Sequence, residues 1–168
     1  MKSSHREHGF TLVELLIVIF IMSIVTSVAL LTVSRNKDKQ LESFVSEFIQ
    51  TVTLAEEQAM LQPMVVGLSF KQTSYQFASY QSALGEKKAS WLPMHDSLLG
   101  QYTIPDGIAL VVAGNELQQS ARNRGPQVVI STNGDLTPFK LYVGHEGSKP
   151  RYVIQGDADG TVTSQLLS

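Results

Sequence analysis

The hydropathy pattern changes period twice along the chain. Residues 10–33 read FTLVELLIVIFIMSIVTSVALLTV, 24 positions that are apolar or small on every side and carry one charge, Glu14. A helix of that length rises about 36 Å, enough to cross a hydrocarbon core of about 30 Å. The apolar region of a secretory signal is usually about 7–15 residues, so this run is too long for an ordinary cleaved one. Further on the pattern becomes one-sided. Leu41, Phe44, Val45, Phe48, Ile49, Val52, Ala55 and Ala59 recur at helical spacing, and Gln40, Glu42, Ser43, Glu47, Gln50, Glu56 and Glu57 mostly take the other face. Pro63 stops the segment. One helix over residues 11–62 is predicted, its first half apolar all round and its second half packed on a globular head.

From Met64 the period falls to two. Strands are predicted at 65–70, 74–80, 101–104, 108–112, 127–131, 139–143, 151–155 and 161–165, and the polar turn Lys71-Gln72-Thr73 makes a hairpin of the first two. Turn signals separate the later strands: Pro105-Asp106-Gly107, Asn133-Gly134, residues 144–150, and Asp159-Gly160. Residues 81–90 and 114–126 read as exposed loops and are the first candidates for partner contact. The fold class is α+β: a long helix followed by an antiparallel β head, as a two-sheet sandwich.

Composition narrows the function. Thirteen Lys and Arg against fifteen Asp and Glu give a net charge of −2, without the basic surface that nucleic-acid binding normally needs. No cysteine is present, which excludes disulfides, thiolate metal sites and cysteine nucleophiles. The histidines, His5, His8, His95 and His145, show no metal-binding spacing, and neither a nucleophile elbow nor a phosphate loop is found. His95-Asp96 are sequence neighbours and read as solvent-facing polar side chains rather than an acid–base pair. Asp157-Ala158-Asp159-Gly160 has half of a calcium-loop pattern but reads better as a turn. Arg122, Arg124, Lys140, Lys149 and Arg151 are cations scattered over 30 residues and read as solvated surface rather than a nucleic-acid patch. No cofactor and no enzymatic activity are expected.

Glu14 is the anomaly. A carboxylate deep in a bilayer costs roughly 2.5–3.5 kcal/mol and is usually partnered. Thr11-Leu12-Val13-Glu14 also fits a capping box with Thr11 as N-cap, in which Glu14 would be structural. Two cations precede the run and three follow it, so the charge count does not fix topology.

Gly9-Phe10-Thr11-Leu12-Val13-Glu14, after a short leader holding Lys2 and Arg6 and ahead of the apolar run, resembles the type IV prepilin signature of pilins and type II secretion pseudopilins. The resemblance implies that a prepilin peptidase cuts between Gly9 and Phe10 and N-methylates Phe10. It implies an inner-membrane protein with a cytoplasmic leader and a periplasmic C-terminal domain. The new amine of Phe10 on one subunit would then pair with Glu14 of its neighbour. The domains become a leader (1–9), a transmembrane and assembly helix (10–33), the amphipathic half of the same helix (34–62) and a periplasmic head (63–168). Many pilins carry a proline inside this helix, whereas here none precedes Pro63.

Four stretches of the head are similar to the H-type minor pseudopilins and their fimbrial relatives. They are Tyr75-Gln76-Phe77; Trp91-Leu92-Pro93-Met94 with Asp96 and Leu98; Ile104-Pro105-Asp106-Gly107-Ile108; and residues 131–139, STNGDLTPF. This resemblance implies a structural subunit near the tip of a type II secretion pseudopilus, linking the major pseudopilin G with the minor pseudopilins I, J and K. The alternatives are a minor pilin of a type IV pilus, and a soluble β domain released by signal peptidase near Ala29.

Overall fold

The computed structural model describes residues 11–82, 89–95, 98–114 and 125–167, with backbone alone at 28–35 and 82. The chain divides into two compact units, Met1–Gln40 and Leu41–Ser168. Helix α1 is Leu12–Leu61. Its start is capped as the sequence predicts: the Glu14 N–H donates to Thr11 Oγ1 at 3.2 Å, and the Leu15 N–H donates to Thr11 O at 3.2 Å. At the other end the Gln62 N–H still reaches Gln58 O, and Pro63 follows.

Nine strands are found among the described residues. In chain order β1 is Val65–Phe70, β2 Ser74–Ser82, β3 Ala89–Pro93, β4 Gln101–Thr103, β5 Ile108–Ala113, β6 Val128–Ile130, β7 Phe139–His145, β8 Tyr152–Gly156 and β9 Val162–Leu166. They form the two expected antiparallel sheets. One has the order β3-β2-β1-β6, with β4 also pairing to the first half of β2; the other has the order β5-β7-β8-β9.

Eight of these strands fall where the alternation predicts them. The ninth corrects the reading of residues 81–90 as loop, because Gln81 pairs with Ser90 and Ser82 with Ala89. The cause is aromatic pairing just inside that turn. Tyr80 sits opposite Trp91 with ring centroids 5.1 Å apart, a cross-strand contact that holds β3 on β2 although the residues beyond are polar. Residues 83–88 and 115–124, the centres of the two predicted loops, lie outside the described residues.

The helical stripe and the strand alternation meet in one core. Leu41, Phe48, Val52, Ala55 and Ala59 are fully buried, and Phe44 and Val45 nearly so. Val66, Leu68, Tyr75 and Phe77 join them from the first sheet, and Phe139, Leu141, Val143 and Ile154 from the second. Phe48 meets Tyr75 edge to face at 5.1 Å and Phe70 at 6.0 Å; Tyr75 in turn stacks on Tyr102 at 5.0 Å. Burying side chains of this size stabilises the head by about 1.5–3 kcal/mol each. Burial also pushes the Tyr75 phenol above the usual tyrosine range, despite its hydrogen bond with Thr51.

Candidate functional site

Glu14 occupies the third position of α1, and every residue of 11–27 is exposed. Leu12, Leu15, Ile19, Phe20 and Met22 present more than half of their surface, around the whole circumference. A helix apolar on all sides is stable only inside another apolar phase, either lipid or a bundle of similar helices. The hydroxyls fit that setting. Ser23 Oγ, Thr26 Oγ1 and Ser27 Oγ each donate at 2.8 Å to the carbonyl four residues back, so the protons of these three hydroxyls need no water.

Thr11 also changes how Glu14 is read. Its hydroxyl satisfies the Glu14 backbone N–H, and the Glu14 side chain is left exposed beside the apolar surface. The helix start and the acid are therefore separable: one hydroxyl makes the cap, and the carboxylate is available to a partner. Among the described residues no helix is long and apolar enough to cross a membrane. Residues 12–27 rise about 24 Å, and the apolar run of the sequence continues to Val33, past the last described side chain of that stretch. Gly9 and Phe10, the cleavage-site residues that the sequence resemblance implies, lie outside the described residues.

The remaining sequence candidates are dispersed. His95 is exposed, and Asp96, Arg122 and Arg124 lie outside the described residues. Asp157-Ala158-Asp159-Gly160 is the turn between β8 and β9: the Gly160 N–H donates to Asp157 O at 3.1 Å, and Thr161 N–H to Asp159 Oδ1 at 3.0 Å. That bond and the Thr161 side chain hold the Asp159 carboxyl below its usual range. Among the described residues no group of three or more His, Cys, Asp or Glu is placed to hold a metal ion.

Sequence reasoning missed Glu56, which it assigned to the solvent face of α1. This carboxylate lies against the turns at Gly134 and Gly160. Partial burial pushes its pKa up, and the charges of Asp159 and Glu57 add to the effect. No periodicity signal identifies it, because an acid at a helix-face boundary reads the same whether solvent or a turn lies beyond.

Residues 4–30 match the family model described as the prokaryotic N-terminal methylation motif. The fold is similar to the minor pseudopilin EpsH from the Type 2 Secretion System of Vibrio cholerae, with a TM-score of 0.59 at 21% identity over 76% of this chain and 97% of that one. It is similar also to the solution structure of Escherichia coli GspH, with a TM-score of 0.58 at 18% identity over 76% and 89%. Motif and fold together define a pilin-like chain, an N-terminal methylation motif and long helix ahead of a two-sheet antiparallel head. Type II secretion system protein H of Aeromonas hydrophila is 30% identical over 97% of this chain and 94% of the relative, and that of Pseudomonas aeruginosa is 30% identical over 85% and 86%. The chain belongs to the type II secretion system protein H family.

Proposed function

We propose that this chain is a minor pseudopilin that joins the periplasmic pseudopilus near its tip, in a structural rather than a catalytic role. The observation that carries the reading is the single acid in the first turn of a helix whose first stretch, residues 12–27, is otherwise apolar or small all round. A relative of the same family over nearly the whole chain supports it.

On this reading a prepilin peptidase removes residues 1–9 between Gly9 and Phe10 and methylates the amine of Phe10. Residues 10–33 anchor the precursor in the inner membrane, with the leader in the cytoplasm and the head in the periplasm. Residues 34–62 carry the helix onto the head, residues 63–168. The protonated Phe10 amine of one subunit and the Glu14 carboxylate of the next neutralise each other inside a low-dielectric helix bundle, where an unpaired charge would oppose packing. The pair thereby fixes axial register as the helix passes from lipid into the filament. Partners are the major pseudopilin G and the minor pseudopilins I, J and K.

Glu14→Leu tests the pairing directly. Thr11 still caps the helix, so the variant is processed and inserted, but its co-purification with the other pseudopilins falls severalfold and secretion falls with it. Secretion at the wild-type level with Glu14→Leu contradicts the account.

A further inference from the structure

Strand β9 forms an edge of its sheet, and its backbone parity can be read from two hydrogen bonds. The Asp157 N–H donates to Thr161 O at 2.9 Å, and the Leu167 N–H to Arg151 O at 2.7 Å. Both pairs continue the register in which Tyr152 faces Leu166 and Gly156 faces Val162. Hydrogen-bonded and non-hydrogen-bonded pairs alternate along an antiparallel ladder. Thr163 and Gln165 therefore bond to β8, and Val162, Ser164 and Leu166 turn their N–H and C=O groups away from the sheet.

Proteins usually protect such an edge with lysine, proline, a bulge or very short length. None of these applies to β9. Residues 161–168 read TVTSQLLS, with neither charge nor proline, and the strand is exposed from Thr163 to Leu166. The other edges are less open. Strands β4 and β6 have three residues each, β3 ends in Pro93, and the first outward N–H of β5, that of Ile108, already donates to Pro105 O.

We propose that the β9 edge pairs with β9 of a second copy of this chain. The outward groups are self-complementary about Ser164. An antiparallel partner with Ser164 facing its own equivalent places Val162 opposite Leu166 twice, and Thr163 opposite Gln165 twice. The apolar pairs then lie on the face where Val162 already packs against the core and Leu166 is 62% exposed. No like charges meet, because the strand has none. The two four-stranded sheets become one continuous sheet across a two-fold axis, a contact that closes on itself.

Single cysteines in this cysteine-free chain test the register, with the full-length protein in inner-membrane vesicles under mild oxidation. Ser164→Cys lies about 5.5 Å from its equivalent in a hydrogen-bonded pair, within disulfide reach, and gives a covalent homodimer. Thr163→Cys, which is diagonal to its equivalent, gives at least tenfold less. Val162→Cys and Leu166→Cys cross-link when co-expressed and not separately. Adding Ser164→Pro to that pair removes an N–H that the β8 ladder does not use, and the cross-link is lost. Equal yields from Thr163→Cys and Ser164→Cys, no homodimer from Ser164→Cys, or its capture on a different polypeptide would each overturn the proposal.

Discussion

The backbone of Gly160 lies directly against the carboxylate of Glu56. A Cβ built at Gly160 would come within 2.8 Å of Glu56 Cδ and 2.9 Å of Gly134 O. Two turns, one before β7 and one before β9, thus meet the end of α1 at one acid, and the Leu136 N–H links them by donating to Ala158 O at 3.3 Å. Gly160 has φ +91°, a region that L side chains rarely adopt. Gly160→Ala therefore combines backbone strain with a steric clash and should lower stability by about 1–3 kcal/mol. Urea unfolding of the full chain in detergent checks this; an unchanged midpoint contradicts it.

The Glu56 carboxyl supplies a pH prediction. Burial, and then the Asp159 charge, raise its pKa above the ordinary value of 4.5, so the folded chain holds this proton more tightly than the unfolded chain. Its contribution to stability falls as pH rises from the ordinary value through the raised one. Asp159 has the opposite sign: its pKa is lowered, and its contribution is lost as pH falls through that lowered value. Glu56→Gln should raise the melting temperature at pH 7 and leave it nearly unchanged at pH 4. Equal shifts at both pH values would contradict a titration origin.

Gly67 offers a spectroscopic prediction. It sits in the middle of β1, where a Cβ would come within 2.6 Å of Pro126 Cγ and 2.7 Å of Trp91 Cζ3. The missing side chain is what lets the indole lie across the outer face of the sheet. Gly67→Val should displace Trp91, the one tryptophan of the chain, and shift its fluorescence emission to the red as the ring gains solvent. Emission identical to the wild type would show that the ring does not depend on that gap.

Most of the fold is legible in the sequence because burial follows period. The stripe from Leu41 to Ala59 reports a helix face, and Val66, Leu68, Tyr75 and Phe77 report a strand face, so both reach the core as predicted. Thr11 is legible because capping depends on one hydroxyl at fixed spacing. Strand β3 is not, because it carries almost no alternation: Trp91 and Tyr80 create it by pairing residues from opposite sides of a polar stretch. Glu56 is hidden for a related reason. Its environment comes from turns about 80 and 100 residues further along, and helical spacing records only which face an acid takes. Glu14 stands out in the sequence because a charge inside a long apolar run costs too much to be incidental.

The role proposed for Glu14 requires that processing create a new amine at Phe10. Intact-mass measurement of the mature protein from inner membranes reads that step. The expected mass reflects loss of residues 1–9 and gain of one methyl group, giving a chain that begins at Phe10. A mature chain beginning near residue 30, or one that retains its leader in a strain with active secretion, would contradict it.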